Sequence, residues 1–191
     1  SKAIFLDRDG TINEMVYESN HGLFDSPTKP EQLIVKKDAA EFVRGVHMLG
    51  FRVIVVTNQP GIAKGTLTKE NLDAINNRML DVLGRGFVDE IFFCPHHPDR
   101  LHDSNVIYAR QCDCRKPKPG LILNAVAKYS VDVSQSWMVG DGVTDVQAGA
   151  AAGCKTMLVT KLKLEQLEKF VSLSVEPNLI VPSLQIGLTR L

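Results

Sequence analysis

Five short apolar-rich runs alternate along the chain with segments whose apolar residues recur at helical spacing. Continuous apolar runs read as strands buried on both faces. Regular alternation of such strands with helices restricts the chain to an α/β fold: a central parallel sheet with helices on both sides, a Rossmann-like three-layer sandwich. The strand runs are 3–6, 51–56, 88–93, 136–139 and 155–159, and a shorter apolar run follows at Leu179-Ile180-Val181. Between them, Asp38 is expected to cap a helix, with Glu41 completing a capping box and Phe42, Val43, Val46 and Leu49 on its inner face before Gly50. Thr68 is expected to cap a second, with Leu72, Ile75, Met79, Val82 and Leu83 inward. Pro119 opens a third in its first turn, carrying Leu121, Ile122, Val126 and Ala127. An Ala-rich helix runs to Ala152, another lies around 162–170, and an amphipathic segment begins near Ser183. No repeat, low-complexity tract or linker interrupts this order, so residues 1–191 are expected to form one domain.

Two stretches lack periodicity. Residues 13–35 contain the turn formers Asn20, Gly22, Pro27 and Pro30 and are expected to be a polar flap. Residues 94–114 join two Cys/His pairs through a polar stretch that includes Asp99, Asp103, Ser104 and Asn105.

In open parallel sheets, ligands bind beyond the carboxyl ends of the strands. The first strand ends in Asp7-Arg8-Asp9-Gly10-Thr11. Two carboxylates one residue apart suit a hard cation such as Mg²⁺, or a nucleophile paired with a proton shuttle. An acidic pair that merely caps a turn is the plain alternative. Asp141, at another strand end, and Asp145, one helical turn later, add the further carboxylates a cation site needs, although Asp141 also suits a helix cap. Thr57 and Asn58 bring a hydroxyl, an amide and backbone N–H groups to a third strand end, where they suit phosphate oxygens or a capped turn. Lys116, beside Arg115, supplies the cation that would steady the nucleophile and phosphoryl oxygens.

Cys94-x-His96 and Cys112-x-Cys114 are paired in a manner that points to a closed, tetrahedral, structural Zn²⁺ site, with His97 as the alternative to His96. Zinc would fold a stretch with little apolar content and set Arg115 and Lys116, which directly follow Cys114. Cys154 is expected to be a small core residue. Unliganded cysteines and a surface histidine are the plain alternative.

The 22 basic and 22 acidic residues cancel, which gives no electrostatic case for nucleic acid or an anionic membrane. No apolar run approaches the roughly 20 residues of a bilayer span. Ser1-Lys2-Ala3 leads directly into the first strand, so a cytoplasmic protein without a leader is expected, and a monomer.

Taken in order, Asp7-Arg8-Asp9-Gly10-Thr11, Thr57-Asn58, Lys116-Pro117 and Gly140-Asp141 with Asp145 resemble the four motifs of the haloacid dehalogenase (HAD) superfamily of phosphatases. The resemblance implies that Asp7 forms an aspartyl phosphate. It implies that Asp9 protonates the leaving group and then activates water, and that Thr57 and Lys116 steady the phosphoryl group. It places Mg²⁺ on Asp7, the Asp9 carbonyl and Asp141, with Asp145 as a supporting or further ligand. No insertion is large enough for a cap domain, so the site should be shielded only by residues 13–35 and 94–114. Cys-Pro-His-His-Pro followed by Cys-Asp-Cys-Arg-Lys-Pro is similar to the group of heptose 1,7-bisphosphate 7-phosphatases and histidinol-phosphate phosphatases. The stretch 57–65 looks closer to the heptose members. That resemblance implies a small phosphorylated metabolite as substrate, with Asn58, Gln59 and Arg115 in its binding. The flap 13–35 and Gly142, where heptose phosphatases often carry Lys, depart from the group. A histidinol-phosphate phosphatase is the alternative within the class. A non-catalytic, zinc-stabilised binding module is the alternative outside it.

Overall fold

The structure, a computed structural model, describes residues 1–19, 22–99, 105–161 and 163–191. The expectations that fall on Asn20, Asp103, Ser104 and Leu162 lie outside these.

The strands are β1 (Ala3–Leu6), β2 (Val16–Glu18), β3 (Leu23–Asp25), β4 (Arg52–Asn58), β5 (Glu90–Cys94), β6 (Trp137–Gly140), β7 (Lys155–Val159) and β8 (Leu179–Val181). Among the described residues, six form one sheet in the order β5-β4-β1-β6-β7-β8, with every pairing parallel. The helices are α1 (Ala39–Met48), α2 (Gly61–Lys64), α3 (Lys69–Leu83), α4 (Gly120–Tyr129), α5 (Val143–Ala152), α6 (Leu164–Leu173) and α7 (Leu184–Leu188). Strand pleat decides the layering. Ile4 and Leu6, with Val53 and Val55, face a core shared with Phe42, Val46, Leu72, Ile75 and Leu184 of α1, α3 and α7. Ala3 and Phe5, with Ile54 and Val56, face the opposite core against Leu121, Ile122 and Ala148 of α4 and α5. All four residues of β1 are completely buried, and burying each large apolar side chain is worth about 1.5–3 kcal/mol. β1 is therefore an inner strand of the sheet, fully buried on both faces.

The α/β sandwich without a large cap matches the expected class. The short run 179–181 is a full member of the sheet, making six strands where five runs were strong enough to read. Thr68 caps α3 as expected, its hydroxyl accepting from the Asn71 N–H at 3.1 Å. Asp38 does not form the expected capping box. It precedes α1 in a helical conformation (φ −90°, ψ −7°) without a cap hydrogen bond. Its carboxylate instead accepts from the Gln185 N–H at 3.1 Å, so a tertiary contact to α7 replaces the local one. Leu49, Val82 and Ala127 were expected inward but are exposed: Leu49 follows the last residue of α1, Val82 lies at the margin of the α3 stripe, and Ala127 lies on the face of α4 opposite Leu121, Ile122 and Ala125. α4 begins one residue after Pro119.

The flap is more ordered than its composition suggests. β2 and β3 pair antiparallel within it, and Tyr17 and Phe24 stack across the hairpin with ring centroids 5.2 Å apart. Its base is pinned: Asn13 and Leu33 are buried, and the Thr28 carbonyl accepts from the Asn71 amide at 3.1 Å. Among the described residues no helix is long and apolar enough to cross a membrane.

Candidate active site

β1 lies between β4 and β6, so the chain that leaves its carboxyl end is flanked by Thr57 and Asn58 on one side and by Gly140 and Asp141 on the other. Asp7 continues the ladder for one residue: its N–H donates to the Val139 carbonyl at 2.9 Å. The chain then turns at Gly10, where φ is +89°. A Cβ at Gly10 would collide with the Asp141 carboxylate, and one at Gly140 with that of Asp145. Both glycines are thus what allows the acidic side chains to converge.

Carboxylate oxygens of Asp7, Asp141 and Asp145 lie within 4.8 Å of one another. Lys116 enters this group from the loop before α4. Its ammonium donates to Asp7 Oδ1 and Asp145 Oδ1, both at 2.6 Å, and to the Val56 carbonyl at 2.9 Å. Lys116 is 4% exposed. Burial opposes its charge, but Asp145 and Asp7 hold its pKa above the ordinary lysine value. The Asn58 amide fixes the lysine's backbone from both sides. Its oxygen accepts from the Lys116 N–H at 3.0 Å and its nitrogen donates to the Lys116 carbonyl at 3.1 Å. Asp145 is further held by the Gly142 N–H at 3.0 Å, and Asp141 by the Thr11 hydroxyl at 3.1 Å.

Three carboxylates against one ammonium leave an excess of negative charge in a buried place. Burial, and then repulsion from Asp145, raise the pKa of both Asp7 and Asp141. A divalent cation would relieve that excess. The donors are all hard oxygens, which suits Mg²⁺ rather than a soft metal.

Asp9 is arranged differently. Its carboxylate meets the fully buried Arg8 guanidinium at two points, Nε to Oδ1 and Nη2 to Oδ2, each 3.0 Å. It also accepts from the Asn13 amide at 3.0 Å and the Gln59 amide at 2.7 Å. Burial pushes its pKa upward, yet the Arg8 charge and these hydrogen bonds outweigh it and hold Asp9 below the usual carboxylate range. Asn76, from α3, takes the third arm of the guanidinium, Nη1 to Oδ1 at 2.9 Å.

The sites expected from sequence therefore come together, with distinctions. Asp7, Lys116, Asp141 and Asp145 form one cluster. Thr57 is buried beside it, its hydroxyl accepting from Gln59 at 3.0 Å. The side-chain amides of Asn58 and Gln59, expected at substrate, are turned to Lys116 and to Asp9 and Thr57. Arg115 donates to the His96 carbonyl at 3.4 Å. Sequence reasoning passed over Arg8, Asn13 and Asn76. A polar Asn76 amid the buried stripe of Leu72, Ile75 and Met79 was the readable signal; Arg8 carried none, because alternation along a strand would point it away from its neighbours.

The second cluster lies at the end of β5. One ligand atom from each of Cys94, His96, Cys112 and Cys114 falls within 4.8 Å of the others. Sulfur–sulfur distances are 3.0–3.6 Å, and His96 Nδ1 stands 3.3 Å from Cys114 Sγ and 3.6 Å from Cys94 Sγ. A tetrahedron with zinc–ligand bonds of 2.0–2.3 Å has edges of roughly 3.3–3.8 Å. The cysteines are free thiols, so the residues fit Zn²⁺. His97 is turned elsewhere, its Nδ1 accepting from the Asp99 N–H at 3.2 Å. The two clusters are joined by backbone: Cys94 is in register with Asn58, and its carbonyl accepts from the Gln59 N–H at 2.8 Å. Cys154 lies apart in the core, where burial pushes its thiol up to about 12.

A family model for HAD-hydrolase-like proteins matches residues 113–185. A Yersinia pestis protein named D-glycero-beta-D-manno-heptose-1,7-bisphosphate 7-phosphatase is 37% identical over 168 residues, covering 83% of this chain and 80% of its own length. The Escherichia coli K12 protein of the same name is 38% identical over 161 residues, covering 83% and 78%. Among solved structures, D,D-heptose 1,7-bisphosphate phosphatase from B. bronchiseptica, complexed with magnesium and phosphate, superposes with a TM-score of 0.79 at 30% identity, over 100% of this chain and 97% of its own. L-2-haloacid dehalogenase from Xanthobacter autotrophicus shares the fold alone, with a TM-score of 0.60 at 12% identity over 98% and 97%.

Proposed function

Because the chain belongs to the HAD-like hydrolases and is a phosphatase, we propose that it removes the 7-phosphate of a heptose 1,7-bisphosphate through a covalent phosphate on Asp7. The observation that carries this reading is the single buried Lys116 shared between Asp7 and Asp145 at the carboxyl end of the central strand. Lys116 aims Asp7 and works against the rise in its pKa caused by burial and Asp145, and its charge can offset that of the phosphoryl oxygens. Asp7 attacks phosphorus as the bond to the sugar oxygen breaks, and Asp9 gives that oxygen a proton. Asp9 then takes a proton from water, the water oxygen attacks phosphorus, and phosphate leaves with Asp7 restored. To donate the first proton, Asp9 has to leave the Arg8 fork. The depressed pKa that the Arg8 fork gives Asp9 favours its ionised form, which suits the second step.

Asp7, the Asp9 carbonyl and Asp141 would hold Mg²⁺, with Asp145 supporting them through Lys116 and Gly142. When bound, Mg²⁺ supplies Lewis-acid stabilisation of the phosphoryl oxygens. Cys94, His96, Cys112 and Cys114 would hold a structural Zn²⁺, and Thr57 would donate to the phosphoryl group. Asn58 and Gln59 act through Lys116 and Asp9, while Arg115 is available to substrate. One phosphatase domain over residues 1–191 carries all of these parts.

The test is phosphate release from heptose 1,7-bisphosphate with Mg²⁺. Asp7→Asn is expected to lower kcat at least about a thousandfold. Higher kcat/KM on histidinol phosphate than on the heptose would overturn the substrate assignment.

A further inference from the structure

By parity with Ile4 and Leu6, whose side chains face α1 and α3, Arg8 falls on the α3 side of the sheet, and it is completely buried there. A buried guanidinium persists only when its N–H groups are paired. Nε and Nη2 meet the two oxygens of Asp9, each at 3.0 Å, and Nη1 donates to Asn76 Oδ1 at 2.9 Å. We propose that Asn76 is a positioning residue for the second half of the reaction: it holds the plane of the Arg8 guanidinium, and the guanidinium holds Asp9 where it receives the proton of the attacking water. The inference rests on the phosphatase reading above and extends it to a helix that carries none of the four motifs.

Asn76 lies in the inner stripe of α3 with Leu72, Ile75 and Met79, and is 8% exposed. Its contact with Arg8 is its only side-chain hydrogen bond among the described residues. A polar amide in that apolar stripe is accounted for by Arg8 alone. A guanidinium is planar and rigid, so fixing one arm sets the direction of the others. The remaining partners of Asp9 are shared with other groups. The Asn13 amide donates also to the Glu14 carbonyl at 3.0 Å, and the Gln59 amide also to the Thr57 hydroxyl at 3.0 Å. Each of these reaches one oxygen of Asp9. Among the described residues, Arg8 alone grips both.

The two half reactions use Asp9 in different places. In the first, the bond between phosphorus and the sugar oxygen breaks, and Asp9 leaves the fork to protonate that oxygen. In the second, the water oxygen bonds to phosphorus and the bond from phosphorus to Asp7 breaks, its electron pair returning to the carboxylate. The water proton passes to Asp9. A guanidinium fork grips a carboxylate through two charge-assisted hydrogen bonds, so a loosened fork falls on this second half. An ester whose leaving group departs as a stable anion needs no proton from Asp9. Its first half reaction is indifferent to the fork.

Two rates separate the halves, both measured on the full chain with Mg²⁺ present. Isotopic oxygen exchange between inorganic phosphate and water runs through the second half reaction alone. The kcat/KM on p-nitrophenyl phosphate ends at the departure of nitrophenolate and reports the first. Asn76→Leu keeps the size of the side chain and suits its apolar neighbours, with Asn76→Ala as its smaller counterpart. Either is expected to slow the exchange about tenfold to a hundredfold and to leave kcat/KM on the aryl ester within about twofold. Asn76→Asp keeps an acceptor oxygen for Nη1 and is expected to exchange within about threefold of the wild type. Equal losses in both rates, no loss of exchange, or an Asn76→Asp variant as slow in exchange as Asn76→Leu would overturn the role of Asn76. If the wild type hydrolyses the ester without exchanging oxygen, or Asp7→Asn retains the exchange, the covalent reading itself fails and the role of Asn76 with it. The Asn76 variants cannot mimic that outcome.

Discussion

Lys116 shows how much one side chain can carry. It is the only ammonium bonded to Asp7 and Asp145 among the described residues. Replacing it by Met, of similar length, leaves two buried carboxylates facing each other. Removing one partner of a buried ion pair typically costs 3–5 kcal/mol. Protonation of Asp7 would recover part of this, so the metal-free variant should be less stable by about 3 kcal/mol at neutral pH. Urea unfolding in the presence of a chelator measures it. Lys116 and the aspartates were legible because residue type and strand-end position together named the chemistry. The Arg8–Asp9 contact was not. It depends on the turn at Gly10 and on Asn76, 68 residues away along the chain, and neither is a property of the local pattern.

At the scale of elements, the contact between β5 and α4 predicts a pH dependence. Glu90 accepts from Lys128 at 2.7 Å and from the Tyr129 hydroxyl at 2.6 Å, and these two bonds lower its pKa despite partial desolvation. A carboxylate with a depressed folded pKa stabilises above its unfolded value, and loses that contribution as pH falls through the folded one. Glu90→Gln should therefore be less stable than wild type at pH 7, with the difference vanishing below the carboxylate range; unfolding curves at the two pH values test this. The 94–114 segment predicts a metal dependence. Cys112→Ser should release zinc and lower kcat/KM by about a hundredfold, because Arg115 and Lys116 follow directly from Cys114. Metal analysis and kinetics on the same preparation check both parts. The cluster of three cysteines and a histidine was readable from spacing, whereas the place of His96 rather than His97 in it needed the fold. Likewise the flap's hairpin was hidden by its polar, turn-rich sequence, since two three-residue strands offer too few positions for alternation to show.

Across the whole molecule, the cation is expected to act as a stabiliser through mass action. A ligand that binds only the folded state, at a hundred times its Kd, adds about 2.7 kcal/mol. Free Mg²⁺ at that level should raise the unfolding free energy by this amount, and Asp141→Ala should abolish the rise. A magnesium series in urea melts provides the measurement. The layered architecture was legible because its four inner strands, β4, β1, β6 and β7, are largely buried and α1, α3 and α4 each carry an apolar stripe. The strand order was not, since β1 is first in the chain and third in the sheet. That order has a consequence in time. Asp7 follows β1 directly, yet β1 gains its second neighbour only with β6, about 130 residues later. Until β6 has been made, the strand that leads into Asp7 stays half-paired, and Asp145 has not emerged to share Lys116. A nascent chain thus holds the Asp7 carboxylate without its neighbours, and the cluster can close only once Lys116, Asp141 and Asp145 have all been made.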